Sequence, residues 1–366
     1  MAMAALLMAG ILVWNLDNLI FSIRLASSMQ KIASGATGRD LPVIETKVHR
    51  HMGARGVDAL IYRPAKSQAT SAIIIAAGIS ELGCYHPRLV AFSRFLADRG
   101  LLVITPDIQE FREFRISAEP IGQMLFWCNN TKSLEGGEEI KKIGLAGISF
   151  SATLAFMAAA RPEAHDKVAF VAGIGPYYSL IRCTREWFAA GSPAAANSNY
   201  PTRFYAKWIV MLSALDMLEA PADRLFLQSV LEDLLLQKRV PPAGSDLTRQ
   251  GLRWYRLATM PEGKEDMELS QKIEEYLVAR IYPQLDPKEA LDALRSPIFL
   301  IHGAYDDLIP PRESIEIHRR INHSYLLLTP FLTHTHPTDT ALSLKQKARA
   351  LLDTLIFCFQ FARAIR

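Results

Sequence analysis

Three polar residues in this chain of 366 residues have the types and the chain order that nucleophilic catalysis requires. Ser149 lies in a Gly-Ile-Ser-Phe-Ser stretch, Asp306 follows a short apolar run, and His334 lies in a Thr-His-Thr-His stretch. A serine hydroxyl becomes a nucleophile when a histidine takes its proton and an acid orients that histidine. The pattern therefore favours acyl transfer, provided that the fold brings the three side chains together.

Ser149 stands between a predicted strand, Ile143–Ala146, and a predicted helix that begins at about Ser151. Small residues on both sides, Gly147 and Ser151, permit a sharp turn in which backbone packs against backbone. Such a turn places the hydroxyl at a helix N-terminus, where free amides and the helix dipole favour negative charge. The other interpretation of Ser149 is an ordinary N-cap that opens the helix.

Asp306 lies in the stretch His-Gly-Ala-Tyr-Asp-Asp-Leu-Ile-Pro, which follows the predicted strand Pro297–Ile301. Catalytic groups of open parallel sheets lie at the carboxyl ends of the strands. Asp306 is thus placed to orient and polarise a histidine, although Asp306 and Asp307 are also suited to cap a turn. His302, at the end of the strand itself, is expected to be structural.

His334 follows the predicted strand Ser324–Leu328 and is the preferred base, with His336 as the fallback. One ring nitrogen of this histidine would face Asp306 and the other would face Ser149. Two histidines at positions i and i+2 are also compatible with a metal site. No cysteine stands close to them in sequence, and we expect neither a metal nor a cofactor.

Short apolar or β-rich segments alternate with helical patterns along most of the chain, which predicts an α/β fold with an eight-stranded, mainly parallel sheet and helices on both faces. The first two segments, joined by a turn at residues 53–56, predict an antiparallel start. The predicted strands are Val43–Met52, Val57–Arg63, Ala72–Ala77, Leu101–Thr105, Ile143–Ala146, Val168–Ile174, Pro297–Ile301 and Ser324–Leu328. The predicted helices are residues 87–99, 151–160, 202–218, 221–237, 246–258, 266–282 and 342–364.

The alternation stops after the sixth strand. Residues 177–295 contain several helical patterns separated by loops rich in proline and glycine, and no convincing strand. We expect this segment to form a helical cap, with residues 41–176 and 296–366 as the core. The cap is rich in leucine, methionine and aromatic residues, which predicts a closed and mostly apolar pocket.

Residues 1–40 are expected to form an apolar arm or a membrane anchor. Met1 to Trp14 contain no charged side chain, and the run is shorter than the roughly 20 residues that span a bilayer. A weak anchor, an amphipathic arm lying on a membrane or on the cap, and a poorly formed signal peptide are all compatible with it. Basic residues after the run, such as Arg24 and Lys31, favour the cytoplasmic side. We expect membrane contact through residues 1–23 and a cytoplasmic main domain.

The composition excludes other classes of protein. Charged residues make up 21% of the chain and the net charge is +4, with no long run of lysine or arginine, so a nucleic-acid surface is not expected. The four cysteines are far apart and form no C-x-x-C pair, which argues against a disulfide framework or a zinc site and fits a reducing compartment. The oligomeric state has no signal in the sequence.

Three of these motifs together resemble the α/β-hydrolase superfamily. Residues 147–151 resemble its nucleophile turn, and residues 302–310 resemble its acid-loop pattern H-G-x-x-D-x-x-V-P. Residues 76–80, Ala-Ala-Gly-Ile-Ser, resemble its oxyanion loop. The resemblance covers roughly residues 43–176 and 296–366, and it is greatest to esterases and dienelactone hydrolases.

The resemblance implies that Ser149 is the nucleophile, His334 the base and Asp306 its partner, with the backbone amides of Ile79 and Phe150 as the oxyanion hole. This chain departs from the family pattern in two places. Ala77 stands where the oxyanion loop often has histidine, and Ser151 replaces the glycine that closes the usual nucleophile turn. Neither departure removes a group that the reaction needs, because the oxyanion donors are backbone amides and Ser151 is still small.

The implied function is a serine hydrolase that cleaves carboxylic esters or thioesters of small molecules through an acyl-serine intermediate, with an apolar group of the substrate under the cap. A peptidase or a carbon–carbon bond hydrolase would use the same triad. The alternative from another class is a non-catalytic hydrolase fold that binds a ligand or docks on a membrane.

Overall fold

A computed structural model describes residues 2–33, 35–189, 202–259, 266–334 and 342–365. The described residues form one sheet of eight strands in the order β1-β2-β4-β3-β5-β6-β7-β8. The strands are β1 Val43–Met52, β2 Arg55–Pro64, β3 Ser71–Ala76, β4 Leu101–Asp107, β5 Lys142–Ile148, β6 Val168–Ile174, β7 Ile298–Gly303 and β8 Ser324–Thr329. The predicted eight-stranded α/β architecture is confirmed.

The sheet begins with an antiparallel hairpin and continues as a parallel sheet. β1 and β2 pair in register from Val43 opposite Pro64 to Met52 opposite Arg55. β2 also runs antiparallel to β4, and every later pairing, from β3 with β4 to β7 with β8, is parallel. β3 is buried along its whole length, as the uninterrupted apolar run Ala72–Ala77 predicts for a strand covered on both faces.

Helices cover both faces of this sheet. The helices of the described residues are α1 Ala2–Ala33, α2 Pro87–Asp98, α3 Gln109–Arg112, α4 Glu119–Asn130, α5 Phe150–Ala159, α6 Leu180–Phe188, α7 Thr202–Ser213, α8 Pro221–Leu235, α9 Arg249–Thr259, α10 Met267–Arg280, α11 Lys288–Ala293, α12 Arg312–Arg320 and α13 Leu344–Ile365. Short 3₁₀ turns lie at Gly83–Tyr85, Thr131–Ser133, Pro162–Ala164, Leu215–Met217 and Tyr282–Leu285.

Neighbouring residues of each central strand face opposite layers. In β3, Ile73 and Ile75 belong to a core cluster that also contains residues of α1, α2 and α13. Ile74, between them, belongs to a second cluster with residues of α4, α5 and the helices that follow β6. This alternation with a period of two is what divides the helices between the two faces.

Three helices of the core, α3, α4 and α12, were not predicted from the sequence. α4 begins with Glu-Pro and contains Gly122, which breaks the helical pattern although the rest of the helix buries large apolar side chains. α12 is highly charged and buries only Glu313, Ser314 and Ile317. Periodicity of apolar residues is the main helical signal in a sequence, and it is weak in α12, where only Ile315 and Ile317 are apolar.

The segment between β6 and β7 contains α6 to α11 and, in its described parts, no strand. We call residues 177–295 the helical insertion. It is joined to the core through Glu313 of α12, whose side chain is fully buried. One carboxylate oxygen of Glu313 accepts hydrogen bonds from the amides of Tyr178 (2.9 Å) and Ser179 (2.8 Å), and the other accepts one from Arg182 (2.6 Å).

The N-terminal helix α1 packs on the core. Phe21 and Leu25 are buried in the cluster that contains residues of α2 and α13. Other apolar side chains of α1 and α13 face solvent: Leu16, Leu19, Ile20 and Ile23 on α1, and Leu351, Leu352 and Ile356 on α13. Among the helices of the described residues, none has an apolar stretch of the length needed to cross a membrane.

A glycine at the centre of the sheet gives a first prediction. Gly144 of β5 pairs in register with Phe170 of β6, and a Cβ atom at position 144 would lie 2.1 Å from the Phe170 ring. The ring is fully buried and packs edge-on against Phe361, so it has little room to move. We expect Gly144→Ala to lower the free energy of unfolding by about 1–3 kcal/mol, measured by urea denaturation.

Gly122 provides the matched control. It is exposed in α4, and apart from its chain neighbours and the backbone of its own helix no described atom lies within 4 Å of the position its Cβ would take. Alanine is the better helix former, so Gly122→Ala should raise the free energy of unfolding by up to about 1 kcal/mol. Equal effects of the two substitutions would contradict the packing described for Gly144.

Candidate active site

The turn between β5 and α5 holds Ser149 in an unusual backbone conformation. Its φ of 60° and ψ of −126° lie in a region that side chains disfavour, at a typical cost of about 1–3 kcal/mol. Gly147 makes the turn possible, because a Cβ atom there would lie 2.2 Å from the carbonyl oxygen of Ser151. The sharp turn predicted around Ser149 is therefore present.

Ser151 ties this turn to the neighbouring strand. Its buried hydroxyl lies 2.9 Å from the carbonyl oxygen of Ala76 at the end of β3, and 3.0 Å from that of Ile148. The same hydroxyl accepts a hydrogen bond of 2.9 Å from the amide of Ile148. Serine in place of glycine thus adds hydrogen bonds between two strand ends, which its small size alone did not predict.

The three candidate side chains meet at the carboxyl edge of the sheet. Nδ1 of His334 lies 2.8 Å from Oδ2 of Asp306, and Nε2 of His334 lies 2.8 Å from Oγ of Ser149. The three residues are separated by up to 185 positions in sequence, and the parallel strands β5, β7 and β8 bring them together. His336, the fallback base, lies outside the described residues.

The Asp306 carboxylate is buried and well supplied with donors. Oδ1 accepts hydrogen bonds from the amides of Leu308 (3.0 Å) and Ile309 (2.9 Å), while Oδ2 faces His334. Burial alone raises the pKa of this carboxyl, but the charge of His334 and hydrogen bonds from His302 and His334 hold its pKa well below the usual range. Asp306 is therefore ionised at neutral pH and accepts the Nδ1 proton of His334.

His302 contacts the loop that contains Asp306. It is fully buried, and its Nδ1 lies 2.6 Å from the Ser314 hydroxyl. Its Nε2 lies 2.7 Å from the carbonyl oxygen of Ile309 and 3.3 Å from Oδ2 of Asp306. Because a carbonyl oxygen only accepts, Nε2 carries the proton, and the ring is held in one tautomer. This arrangement agrees with the structural role expected for His302.

Gly175 is a site residue that the sequence analysis missed. It follows β6 with a φ of +63°, and the position of a Cβ atom there lies 3.4 Å from Cε1 of His334 and 3.6 Å from Oδ2 of Asp306. The left-handed backbone and the close approach of the imidazole both favour glycine. The signal available in the sequence was a glycine directly after a buried strand.

The loop after β3 lies directly against Ser149. A Cβ atom on Gly78 would be 3.2 Å from the carbonyl oxygen of Ile148 and 3.4 Å from Cβ of Ser149. The next residue, Ile79, and Phe150, the first residue of α5, are the predicted oxyanion donors. Neither amide donates a hydrogen bond to another group within the described part of the chain.

Two side chains of the helical insertion reach the loops of the site. The hydroxyl of Tyr205 in α7 donates a hydrogen bond of 2.9 Å to the carbonyl oxygen of Ile79. The indole Nε1 of Trp187 in α6 donates one of 2.7 Å to the carbonyl oxygen of Leu308, beside Asp306. Neither contact was predicted from the sequence, where the aromatic residues of the insertion indicated only an apolar pocket.

No protein-family model and no curated protein matches the sequence. Among solved structures, uncomplexed acylaminoacyl peptidase from Pyrococcus horikoshii aligns at 14% identity and a TM-score of 0.51, over 89% of this chain and 43% of its own. Its orthorhombic form aligns at 12% identity and a TM-score of 0.50, over 88% and 41%. A dienelactone hydrolase from Anabaena variabilis aligns at 15% identity and a TM-score of 0.46, over 86% and 96%.

The chain therefore spans about two fifths of the length of the peptidase structures that it resembles. At such low identity a structural likeness shows the fold and nothing finer. Together with the strand order, it shows that the chain has the α/β-hydrolase fold.

The environment of His334 gives a second prediction. Burial lowers the pKa of the imidazole, but the charge and hydrogen bond of Asp306 outweigh burial and raise the pKa above its ordinary value of 6.5. With ¹³C-labelled histidine, NMR should give a titration midpoint for His334 above 6.5. In Asp306→Asn the burial effect is opposed only by the smaller effect of the Asp307 charge, so the midpoint should fall below 6.5. A midpoint that does not move would contradict the coupling between the two side chains.

Proposed function

We propose that this protein is a serine hydrolase that cleaves carboxylic esters or thioesters through an acyl-serine intermediate. The observation that carries the proposal is the pair of 2.8 Å contacts that His334 makes with Ser149 and Asp306. An ionised Asp306 accepts the Nδ1 proton, which leaves the lone pair of Nε2 facing the serine hydroxyl.

In the first half of the proposed reaction, Oγ of Ser149 attacks the carbonyl carbon of the ester while Nε2 of His334 takes the hydroxyl proton. The electron pair of the C=O bond moves to oxygen, and the amides of Ile79 and Phe150 donate hydrogen bonds to that oxyanion. Asp306 stays ionised and stabilises the imidazolium. The intermediate then collapses, the C–O bond to the alcohol breaks, and His334 gives its proton to the departing oxygen.

In the second half, water attacks the acyl-serine. His334 takes a proton from the water, the same two amides bind the second oxyanion, and the proton passes to Ser149 as the acid leaves. The base must be neutral to act. Because the pKa of His334 is raised, activity should increase with pH through a midpoint above 6.5.

We propose that the helical insertion is a cap that holds an apolar group of the substrate over this site. Its contacts with both site loops, from Tyr205 to Ile79 and from Trp187 to Leu308, support this arrangement. Partly buried apolar side chains of the insertion, Tyr205 and Trp208 among them, pack against the main core cluster. Small esters or thioesters with an apolar acyl or alcohol part fit such surroundings.

The rival interpretation, a non-catalytic fold that only binds a ligand, does not need these contacts. A ligand-binding module has no use for a serine in a strained backbone conformation, with its hydroxyl 2.8 Å from an imidazole that faces a buried carboxylate. A peptidase or a carbon–carbon bond hydrolase would use the same groups, so amide and diketone substrates belong in the test alongside esters.

The third prediction tests the nucleophile. Ser149→Ala removes the attacking oxygen, so hydrolysis of p-nitrophenyl butyrate should fall by about 10⁴–10⁶-fold. A fluorophosphonate probe should label the wild-type protein at Ser149 and leave the variant unlabelled. Ser133→Ala, at an exposed 3₁₀ turn, is the matched control and should retain both activities.

Urea denaturation of both variants separates loss of the nucleophile from loss of the fold. Equal ester hydrolysis by wild type and Ser149→Ala would remove Ser149 from the mechanism. A folded wild-type protein that neither reacts with the probe nor hydrolyses any of the esters, amides or diketones would refute the hydrolase proposal.

We also propose that the N-terminal helix contacts a membrane surface. The first 14 residues carry no charge, and α1 continues with apolar side chains that face solvent, including Leu19 (45% exposed) and Ile23 (50%). Apolar side chains that would otherwise face water gain free energy at the boundary of headgroups and acyl chains.

The fourth prediction tests this contact with vesicles. The full chain should sediment with phosphatidylcholine vesicles that contain phosphatidylserine, and the double variant Leu19→Asn, Ile23→Asn should remain in the supernatant. Leu225→Asn changes an apolar residue that is 70% exposed on α8 and should sediment like the wild type. A protein that does not sediment, or that forms dimers broken by the double variant, would contradict the membrane proposal.

A further inference from the structure

The contact between Tyr205 and Ile79 joins the helical insertion to the proposed oxyanion hole. Tyr205 lies in α7 and is partly buried, and its ring packs edge-on against Phe114 with 6.2 Å between centroids. Its hydroxyl lies 2.9 Å from the Ile79 carbonyl oxygen, which can only accept, so the hydroxyl donates. Burial raises the pKa of this phenol, which keeps it protonated as a donor.

The carbonyl group that accepts the hydrogen bond from Tyr205 belongs to Ile79, the same residue whose N–H is the proposed oxyanion donor. The Ile79 N–H belongs to the peptide before the Ile79 Cα atom, and the Ile79 carbonyl belongs to the peptide after it. Fixing the second peptide limits the rotations about the Cα atom that they share. The first peptide begins at Gly78, which has no side chain to restrain it and needs restraint from its neighbours.

Contacts from the core and from the helical insertion therefore both restrain the proposed oxyanion loop, residues 76–80. On the core side, Gly78 packs against Ile148 and Ser149, and the Ser151 hydroxyl fixes the carbonyl of Ala76. On the side of the insertion, Tyr205 fixes the carbonyl of Ile79. An oxyanion donor stabilises a transition state best when its direction is set before the reaction, because no reorganisation is then required.

We propose that Tyr205 is a positioning residue of the active site, which aims the Ile79 amide at the developing oxyanion and makes the helical insertion part of the catalytic geometry. Tyr205 acts through the backbone of Ile79 and does not touch the reacting atoms. The inference rests on the proposed hydrolase function and extends it, because the insertion would then both cover the active site and contribute to kcat.

The fifth prediction compares two tyrosines that make the same kind of bond. Tyr205→Phe should lower kcat for p-nitrophenyl butyrate by about 10–100-fold and leave KM within about twofold, because the lost positioning affects the transition state more than the bound ester. Tyr255→Phe removes a hydroxyl that donates 2.8 Å to the Pro241 carbonyl oxygen elsewhere in the insertion. This control should keep the wild-type kcat and KM.

The inhibition constant of an aliphatic trifluoromethyl ketone distinguishes positioning of the oxyanion donor from a purely structural role of Tyr205. Ser149 adds to its carbonyl carbon, the serine proton passes to His334, and the carbonyl oxygen becomes an oxyanion at the two amides. Its inhibition constant should rise in Tyr205→Phe by about the same factor by which kcat falls. All rates are divided by the number of folded sites, titrated with a fluorophosphonate, so partial unfolding does not imitate the effect.

The possible results separate the proposed role of Tyr205 from the proposed hydrolase function. Unchanged kcat and inhibition constant in Tyr205→Phe, a change confined to KM, or an equal loss in Tyr255→Phe would overturn the role of Tyr205 and leave the hydrolase proposal intact. A wild-type protein that the fluorophosphonate does not label would instead overturn the hydrolase proposal itself.

Discussion

A buried carboxylate at the end of β7 is the constraint on which the rest of the site depends. Asp306 stays ionised in the interior only because donors surround it: the amides of Leu308 and Ile309 on one oxygen, and His334 on the other. The amides fix the loop, and the loop fixes the direction of Oδ2. That direction in turn selects the tautomer and the ring orientation of His334.

The conformation of the turn around Ser149 is set mainly by close packing of the backbone. Gly147 has no space for a Cβ atom, and this close packing lets the chain enter α5 through the strained conformation of Ser149. Ser151 then uses its hydroxyl to join the ends of β3 and β5. Ser149 and the loop after β3 are thereby held together, and the helical insertion adds contacts from Tyr205 and Trp187.

Much of this arrangement could be predicted because its signals are local. The strands are short apolar runs, and Ser149, Asp306 and His334 each follow one of them. The carboxyl ends of parallel strands share an edge, so placement after strands was enough to bring the three together. Gly175, Tyr205 and the hydrogen bonds of Ser151 could not be predicted in the same way, because each depends on a contact with a residue distant in sequence. α12 was missed for a different reason: its few buried positions include a glutamate and a serine, which carry no hydrophobic period.

The contacts of Glu313 determine whether the helical insertion can be removed from the core. Its fully buried carboxylate belongs to the core, yet the groups that donate hydrogen bonds to it, the amides of Tyr178 and Ser179 and the guanidinium of Arg182, belong to the insertion. Deleting residues 177–295 would remove these donors and leave the buried carboxylate with the more distant Arg312, 3.7 Å away, which is destabilising. The insertion is therefore not a removable module, and heating should melt both parts in a single cooperative transition.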